Sequence, residues 1–292
     1  MIIITGATGQ LGHAITENLV KRVPASQVGV SVRDPEKAAD LTALGVRVRH
    51  GNFENGESLR HAFEGATQVL IVSSNARSYG GDTLAQHRAA IEAAGAVGAR
   101  RIVYTSHSAV SASSAFPPML DHAATEDMLR QSGLAWTALR HGFYASSGIL
   151  FMGAALETGV LAAPADGKVA WTAHADLAEA AAILLASEGQ YNGPTPPLTG
   201  AEALDLGDLA DIGSDLLGTP IRREILTDEE LRAKMAARGV PESAVSIALG
   251  FYAASRNGEF ATVDPTLERL LGRRPIHMRD VIAEKMNGHK GV

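Results

Sequence analysis

Three glycines spaced three residues apart, Gly6, Gly9 and Gly12, mark the first place where this sequence could do chemistry. They stand in Thr5-Gly6-Ala7-Thr8-Gly9-Gln10-Leu11-Gly12, directly after the hydrophobic run Ile2-Ile3-Ile4. Gly6 lets a chain leaving a strand turn tightly, Gly9 admits a pyrophosphate close to the backbone, and Gly12 lets the following helix pack against the sheet. The free amides of that helix start then meet the phosphates. The spacing differs from the commoner dinucleotide fingerprint, and it lacks the Gly-Lys-Ser or Gly-Lys-Thr ending of a nucleotide-triphosphatase loop. A tight strand-to-helix turn that binds nothing is the plain alternative. The agreement of strand, glycines and helix favours a dinucleotide site that includes Gly6, Thr8, Gly9, Gln10, Leu11 and Gly12.

A second strand ends at Val32 and is followed by Arg33, where an acidic residue would hold the adenosine ribose of NAD. Arginine instead pairs with a 2′-phosphate through its fixed array of donors, which points to NADP. The other reading is a surface arginine neutralised by Asp34 or Glu36. Ligands of open parallel sheets bind beyond the carboxyl ends of the strands. That rule gathers Asn52, Phe53, Ser73, Ser74, Asn75, Thr105, Ser106 and His107 around the cofactor. Asn52 and Phe53 are expected beside the adenine, and the 73–75 loop beneath the ribose and pyrophosphate. Each residue alone is also an ordinary turn former.

His122 and Glu126 stand four residues apart on an expected helix and share a face, where they could hydrogen-bond or orient a substrate. Histidine suits proton exchange near neutral pH. A plain helix-surface pair accounts for them equally well. Leu139-Arg140-His141-Gly142-Phe143-Tyr144 follows the next strand. Phe143 is expected as an apolar wall beside the nicotinamide, and His141 and Tyr144 as polar contacts to a carbonyl or quinone oxygen, unless they close the rim of the core. His122, His141 and Tyr144 are thus the candidate catalytic residues.

The elements that must position these residues follow from hydrophobic periodicity. Short β-branched runs at 2–5, 28–32, 46–50, 69–72, 102–105 and 135–139 alternate with helical stretches up to about residue 140. Leu11, Ile15 and Leu19 recur every fourth residue and give the first helix one apolar side. Further helices are expected at 58–63, 83–96, 120–130 and 146–157, and at 177–186 with Asp176 as its cap. Gly193-Pro194-Thr195-Pro196-Pro197 breaks regular structure. Beyond it Thr227 and Glu230 have the spacing of a capping box, and Pro241 and Pro265 can each open a helix. The reading is α/β: a Rossmann-like parallel sheet with helices on both faces at 1–192, and a smaller, mostly helical substrate-cleft lobe at 193–292 that can take in parts of 144–175.

Composition narrows the remaining classes. The 292 residues can bury a large core, and 26 Lys and Arg against 32 Asp and Glu give a formal charge of −6, with no global attraction for nucleic acid or an anionic membrane. With no cysteine, thiolate nucleophiles, Cys-ligated zinc, iron–sulfur centres and disulfides are all excluded. No His-Glu-x-x-His or other zinc motif occurs among the ten histidines, and no Gly-x-Ser-x-Gly elbow supports a hydrolase. Neither a secretory leader nor a run of membrane-helix length is evident, so a cytoplasmic protein is expected. A homodimer stays open.

Taken together, the glycine loop, Val32-Arg33-Asp34-Pro35-Glu36-Lys37, His50-Gly51-Asn52-Phe53, His122-Ala123-Ala124-Thr125-Glu126 and Leu139-Arg140-His141-Gly142-Phe143-Tyr144 resemble an atypical short-chain dehydrogenase/reductase of the NmrA-like family. The resemblance runs from Ile2 almost to the C-terminus, on the branch of bacterial quinone oxidoreductases and triphenylmethane reductases. It implies that the glycine loop and Arg33 hold NADP, and that a small C-terminal lobe closes a substrate cleft over the nicotinamide. Two positions depart from the family: Asn52, where Asp is frequent, and His141, where Asn or Pro is common. The wider superfamily's Tyr-x-x-x-Lys pair is replaced by His122 and Glu126, so its proton relay does not transfer. Hydride transfer from NADPH to a quinone or another conjugated acceptor fits that loss, because a delocalised product anion takes its proton from solvent. A redox-sensing regulator that binds NADP without turnover fits it too, as does a reductase or epimerase of a larger metabolite.

Overall fold

The computed structural model describes residues 1–289. Strands β1 (Ile2–Thr5), β2 (Val28–Val32), β3 (Arg47–His50), β4 (Gln68–Ile71), β5 (Arg101–His107) and β6 (Ala135–His141) are all parallel and lie in the spatial order 3-2-1-4-5-6. The order reverses between β1 and β4, which opens a crevice above their carboxyl ends. Alternate side chains feed two separate cores. Ile4, Val30, Leu70 and Val103 meet one face, whereas Ile3, Val69, Ile71 and Tyr104 meet the other.

Helices α1 (Gln10–Val20), α2 (Ala39–Ala43), α3 (Gly56–Phe63), α4 (Thr83–Ala96) and α5 (Pro117–Gln131) fill the crossovers. Ile15 and Leu19 of α1 join the first core, while Leu59 and Phe63 of α3, Ala90 and Ala94 of α4 and Leu129 of α5 join the second. Small residues let α4 lie close to the sheet. The helices expected over 58–63 and 120–130 begin earlier, at Gly56 and Pro117, because Asn55 caps α3 through its side chain and Pro118 sits in the first turn of α5.

After β6 the chain makes the short strand β7 (Phe143–Tyr144) and the helices α6 (Ala145–Met152) and α7 (Ala155–Thr158). One helix was expected across 146–157. Gly153, at φ +53°, divides it in two, its amide closing α6 on the Leu150 carbonyl. Then come β8 (Val160–Pro164), β9 (Trp171–Thr172) and α8 (His174–Ala186), which lies beside α1 on the first core. Asp176 does not cap α8. The helix starts two residues earlier, and the fully buried Asp176 carboxylate accepts hydrogen bonds from the Ile276 amide (2.6 Å) and Arg273 Nη1 (2.7 Å), tying the distal chain to α8.

The proline-rich break at 193–197 does not leave the sheet. Gly193–Pro194, strand β10, pairs in parallel with Thr137 and Ala138 of β6 and forms the sheet's seventh strand, at the edge where proline's missing donor is tolerated. The remaining elements are α9 (Leu206–Leu217), β11 (Arg222–Leu226), α10 (Asp228–Ala237), α11 (Glu242–Arg256), α12 (Thr266–Leu271) and α13 (Met278–His289). Thr227 and Glu230 form the expected capping box on α10, while Pro241 and Pro265 sit at the cap positions just before their helices. A third core joins Ala145, Met152, Leu161 and Trp171 to Leu209, Phe251, Phe260 and Ile282. The lobe is therefore built from residues on both sides of the break. No helix among the described residues is long and apolar enough to cross a membrane.

Candidate active site

A cavity of about 940 Å³ lies over the carboxyl ends of β1, β2, β4 and β5 and reaches Ser147 of α6 and His174 of α8. At one end is the glycine loop. Gly6 turns the chain at φ +63°, and its carbonyl accepts the Gly9 amide at 3.0 Å. Gly9 is the N-cap of α1, and no side chain caps that helix, so its first amides have no intrahelical acceptor. Gln10, Leu11 and Gly12 carry those amides along the cavity wall. A Cβ on Gly12 would lie 2.5 Å from the Gly6 carbonyl oxygen, so only glycine lets α1 come this close. Uncapped donors, the positive end of a helix and a wall opened by glycines at 6, 9 and 12 fit a pyrophosphate.

Arg33 lines the same cavity and is exposed. Asp34 is engaged elsewhere, capping the Glu36 amide (3.2 Å) and pairing with Lys37 (3.4 Å), so it does not neutralise Arg33. Asn52 and Phe53 border the cavity nearby, and the Asn52 side-chain oxygen accepts the Glu54 amide at 3.1 Å. The 73–75 loop is held from below: Thr5 Oγ1 accepts the Val72 amide (2.9 Å), Thr105 Oγ1 the Ser73 amide (2.8 Å) and His87 Nε2 the Ser74 amide (2.8 Å). Ser73, Ser74 and Asn75 all line the cavity, whereas Thr105 supports them from beneath without lining it.

The other end is aromatic. Phe143 lies in a cluster with Phe116 (5.7 Å between centroids), Phe260 (4.9 Å) and His107 (5.5 Å). His122 lines the cavity, with its Nδ1 2.7 Å from the buried Tyr104 hydroxyl. Burial lowers the His122 pKa to about 4, against the smaller upward pull of Glu126 and Asp121, so its imidazole is uncharged at neutral pH. Tyr144 also lines the cavity, with its ring 4.3 Å from that of His174, and burial pushes its phenol up to about 12. This end presents neutral polar groups against an apolar wall.

Two expectations about this end are corrected. His141 does not reach the cavity: β6 runs two residues further than expected and carries His141 into the interior, fully buried and with both ring nitrogens unpartnered. Nor does Glu126 face a ligand. It is buried, accepts from Arg140 Nε (3.2 Å) and Nη2 (2.8 Å) and accepts the Ser106 hydroxyl at 2.7 Å, so it joins α5 to the strand ends and makes no bond to His122. Residues not anticipated from the sequence also line the site, notably Tyr104, His87 and Arg77, whose guanidinium binds Asp121 of α5 at 2.5 and 2.6 Å. A signal did exist for Tyr104: a phenol inside the apolar run Ile102-Val103-Tyr104 needs a buried partner.

Fold and site together define a class. Residues 6–187 match an NAD(P)H-binding family, and the chain belongs to it, within the NmrA-like branch of the short-chain dehydrogenase/reductase superfamily of oxidoreductases. Among its relatives is quinone oxidoreductase 2 of Escherichia coli strain K12, 37% identical over 98% of this chain and 99% of that protein. A crystal structure of NADPH-dependent quinone oxidoreductase from Escherichia coli, complexed with NADPH, superposes with a TM-score of 0.90 at 34% identity, covering 98% of this chain and 100% of that one. Triphenylmethane reductase from Citrobacter sp., complexed with NADP(H), has a TM-score of 0.87 at 31% identity, covering 98% and 99%.

The buried histidines make stability depend on pH. Burial lowers His87 and His141 to about 3 and His122 to about 4, and drives His107 well below its usual value. Well above pH 6.5 both folded and unfolded chains hold these groups neutral, so their contribution is fully present. As pH falls through 6.5 towards 4, only the unfolded chain takes up protons and stability is lost, by about 1.5 kcal/mol per histidine between pH 6.5 and 5. Urea denaturation should therefore give a lower midpoint at pH 5 than at pH 7. His141→Leu, which removes one such group and its two unpartnered nitrogens, should narrow that difference; an unchanged difference would contradict the assignment.

Proposed function

We propose that the protein is an NADPH-dependent oxidoreductase that transfers hydride to a quinone or a similarly conjugated acceptor. The observation that carries this reading is the shared cavity, in which an uncapped helix start and Arg33 lie at one end and an aromatic wall with neutral polar groups at the other. The dihydronicotinamide, when bound, supplies the hydride. The chain's own residues do the rest. The α1 amides hold the pyrophosphate and Arg33 the 2′-phosphate, while Phe116 and Phe143, packed on one another, form an apolar wall against which a flat acceptor lies away from water.

At the acceptor oxygen, His122 and Tyr144 serve as uncharged hydrogen-bond donors. With an imidazole pKa of about 4 and a phenol pKa of about 12, neither is a strong acid at neutral pH. They stabilise charge developing on oxygen without surrendering a proton. This suits an acceptor whose reduced anion is delocalised and can be protonated by solvent. It does not suit an isolated carbonyl, whose alkoxide needs an acid. The relatives named for quinone and triphenylmethane reduction support conjugated acceptors as the substrate class.

Two measurements test the reading. NADPH absorbance followed with quinones, enones and triarylmethane dyes should show oxidation with quinones; tight NADPH binding with no acceptor reduced would overturn it in favour of an NADP-binding regulator. For the cofactor, Arg33→Ala should weaken NADPH by about 10- to 100-fold, the worth of a lost charge-assisted hydrogen bond, and leave NADH nearly unchanged. Equal NADPH and NADH affinities in the unaltered protein would contradict the role given to Arg33.

A further inference from the structure

We propose that Tyr104 is the positioning residue of this site, holding His122 in the tautomer that presents an Nε2–H donor to the acceptor oxygen. The inference rests on the reductase reading for its consequence, but the geometry behind it belongs to the protein alone.

Tyr104 lies on β5 and is fully buried, its ring edge-on to that of His87 at 5.3 Å. A strand-borne aromatic ring packed on all sides has one place for its hydroxyl. Here that place is 2.7 Å from His122 Nδ1. A neutral imidazole has one donor and one acceptor nitrogen, and a hydrogen bond at either nitrogen decides which is which. Burial raises the phenol well above its usual pKa and lowers the imidazole, so the proton stays on the tyrosine oxygen and the pair is uncharged. The other group near the hydroxyl, Thr125 Oγ1, is already engaged: it gives its own proton to the Asp121 carbonyl and takes the proton of His87 Nδ1, whose Nε2 accepts the Ser74 amide. The tyrosine proton is thereby directed to His122, so Tyr104 donates and Nδ1 accepts. The His122 proton is left on Nε2, the polar atom that remains for a ligand in the cavity.

The alternative tautomer has the opposite effect. With Nδ1–H donating to the tyrosine, the Nε2 lone pair would face the acceptor and repel its oxygen. Tyr104 thus decides, through His122, whether a carbonyl oxygen is attracted or rejected. The surroundings leave His122 no competing partner for Nδ1. Glu126 is taken by Arg140 and Ser106, Asp121 by Arg77, and His87 by Thr125 and the Ser74 amide. His107, whose ring is 6.2 Å from that of His122, accepts the Ala109 amide on its own Nδ1.

The test is the tautomer of His122, read from long-range proton–nitrogen NMR of histidine-labelled protein with and without NADPH, the resonance being assigned by its loss in His122→Gln. The unaltered protein should show Nε2 protonated and Nδ1 bare. Tyr104→Phe, nearly isosteric, should shift His122 towards a mixture of tautomers. It should also lower kcat for quinone reduction about tenfold, the worth of one well-placed hydrogen bond, with KM for NADPH unchanged. Protonated Nδ1 in the unaltered protein would overturn the proposal, as would a Tyr104→Phe protein with the original tautomer and rate. If Tyr104→Phe does not fold, 3-fluorotyrosine at position 104, a stronger donor, must shift the His122 Nδ1 resonance; no shift overturns the proposal. Absence of quinone turnover beside the expected tautomer would remove the reductase reading and leave the positioning role standing on the spectrum.

Discussion

The structure depends on how closely α1 approaches the turn at Gly6. A methyl group on Gly12 would sit 2.5 Å from the Gly6 carbonyl oxygen, so the helix start is held against the end of β1 by the absence of a side chain. The uncapped amides of α1 consequently face the crevice where the strand order reverses. Everything else in the site is arranged around that fixed end. Arg33 leaves β2 beside it, and the 73–75 loop leaves β4, secured to Thr105 and His87 by backbone amides. The aromatic wall lies further along the same cavity.

The second constraint is electrostatic neutrality at the far end. Every carboxylate near His122 already has a cationic partner, Glu126 with Arg140 and Asp121 with Arg77. The histidines there are depressed by burial, and the phenols of Tyr104 and Tyr144 are raised. A site of this kind offers hydrogen bonds rather than protons. Glu126, four residues after His122 on α5, is locked into an ion pair with Arg140, so its role is structural.

How much of this was legible in the sequence depended on the range of the signal. The glycine loop, α1 and the α4 boundaries at 83–96 could be read because strand, turn and helix preferences are local and agree with one another. The capping box at Thr227 was legible for the same reason. Gly193–Pro194 was not, since two residues without β propensity join the sheet only through their partners on β6. Asp176 looked like a helix cap because a cap is a local inference, yet its carboxylate is claimed by Arg273 and Ile276 a hundred residues away. His141 was misplaced because β6 continues past its last alternating residue and turns the imidazole inward. Of the site, the gathering of the glycine loop, Arg33, Asn52, Phe53 and the 73–75 loop around one cavity was legible. The pairings of Tyr104 with His122 and of Arg77 with Asp121 were not, because they join distant elements and leave no spacing to read.

The most direct test of the central claim is a crystal structure of the protein with NADP and a quinone bound together. The account predicts pyrophosphate on the amides of Gln10, Leu11 and Gly12, the 2′-phosphate on Arg33, and the quinone against Phe143 with an oxygen in hydrogen-bonding reach of His122 Nε2. A quinone bound away from the aromatic wall, or a cofactor whose phosphates avoid the start of α1, would contradict it.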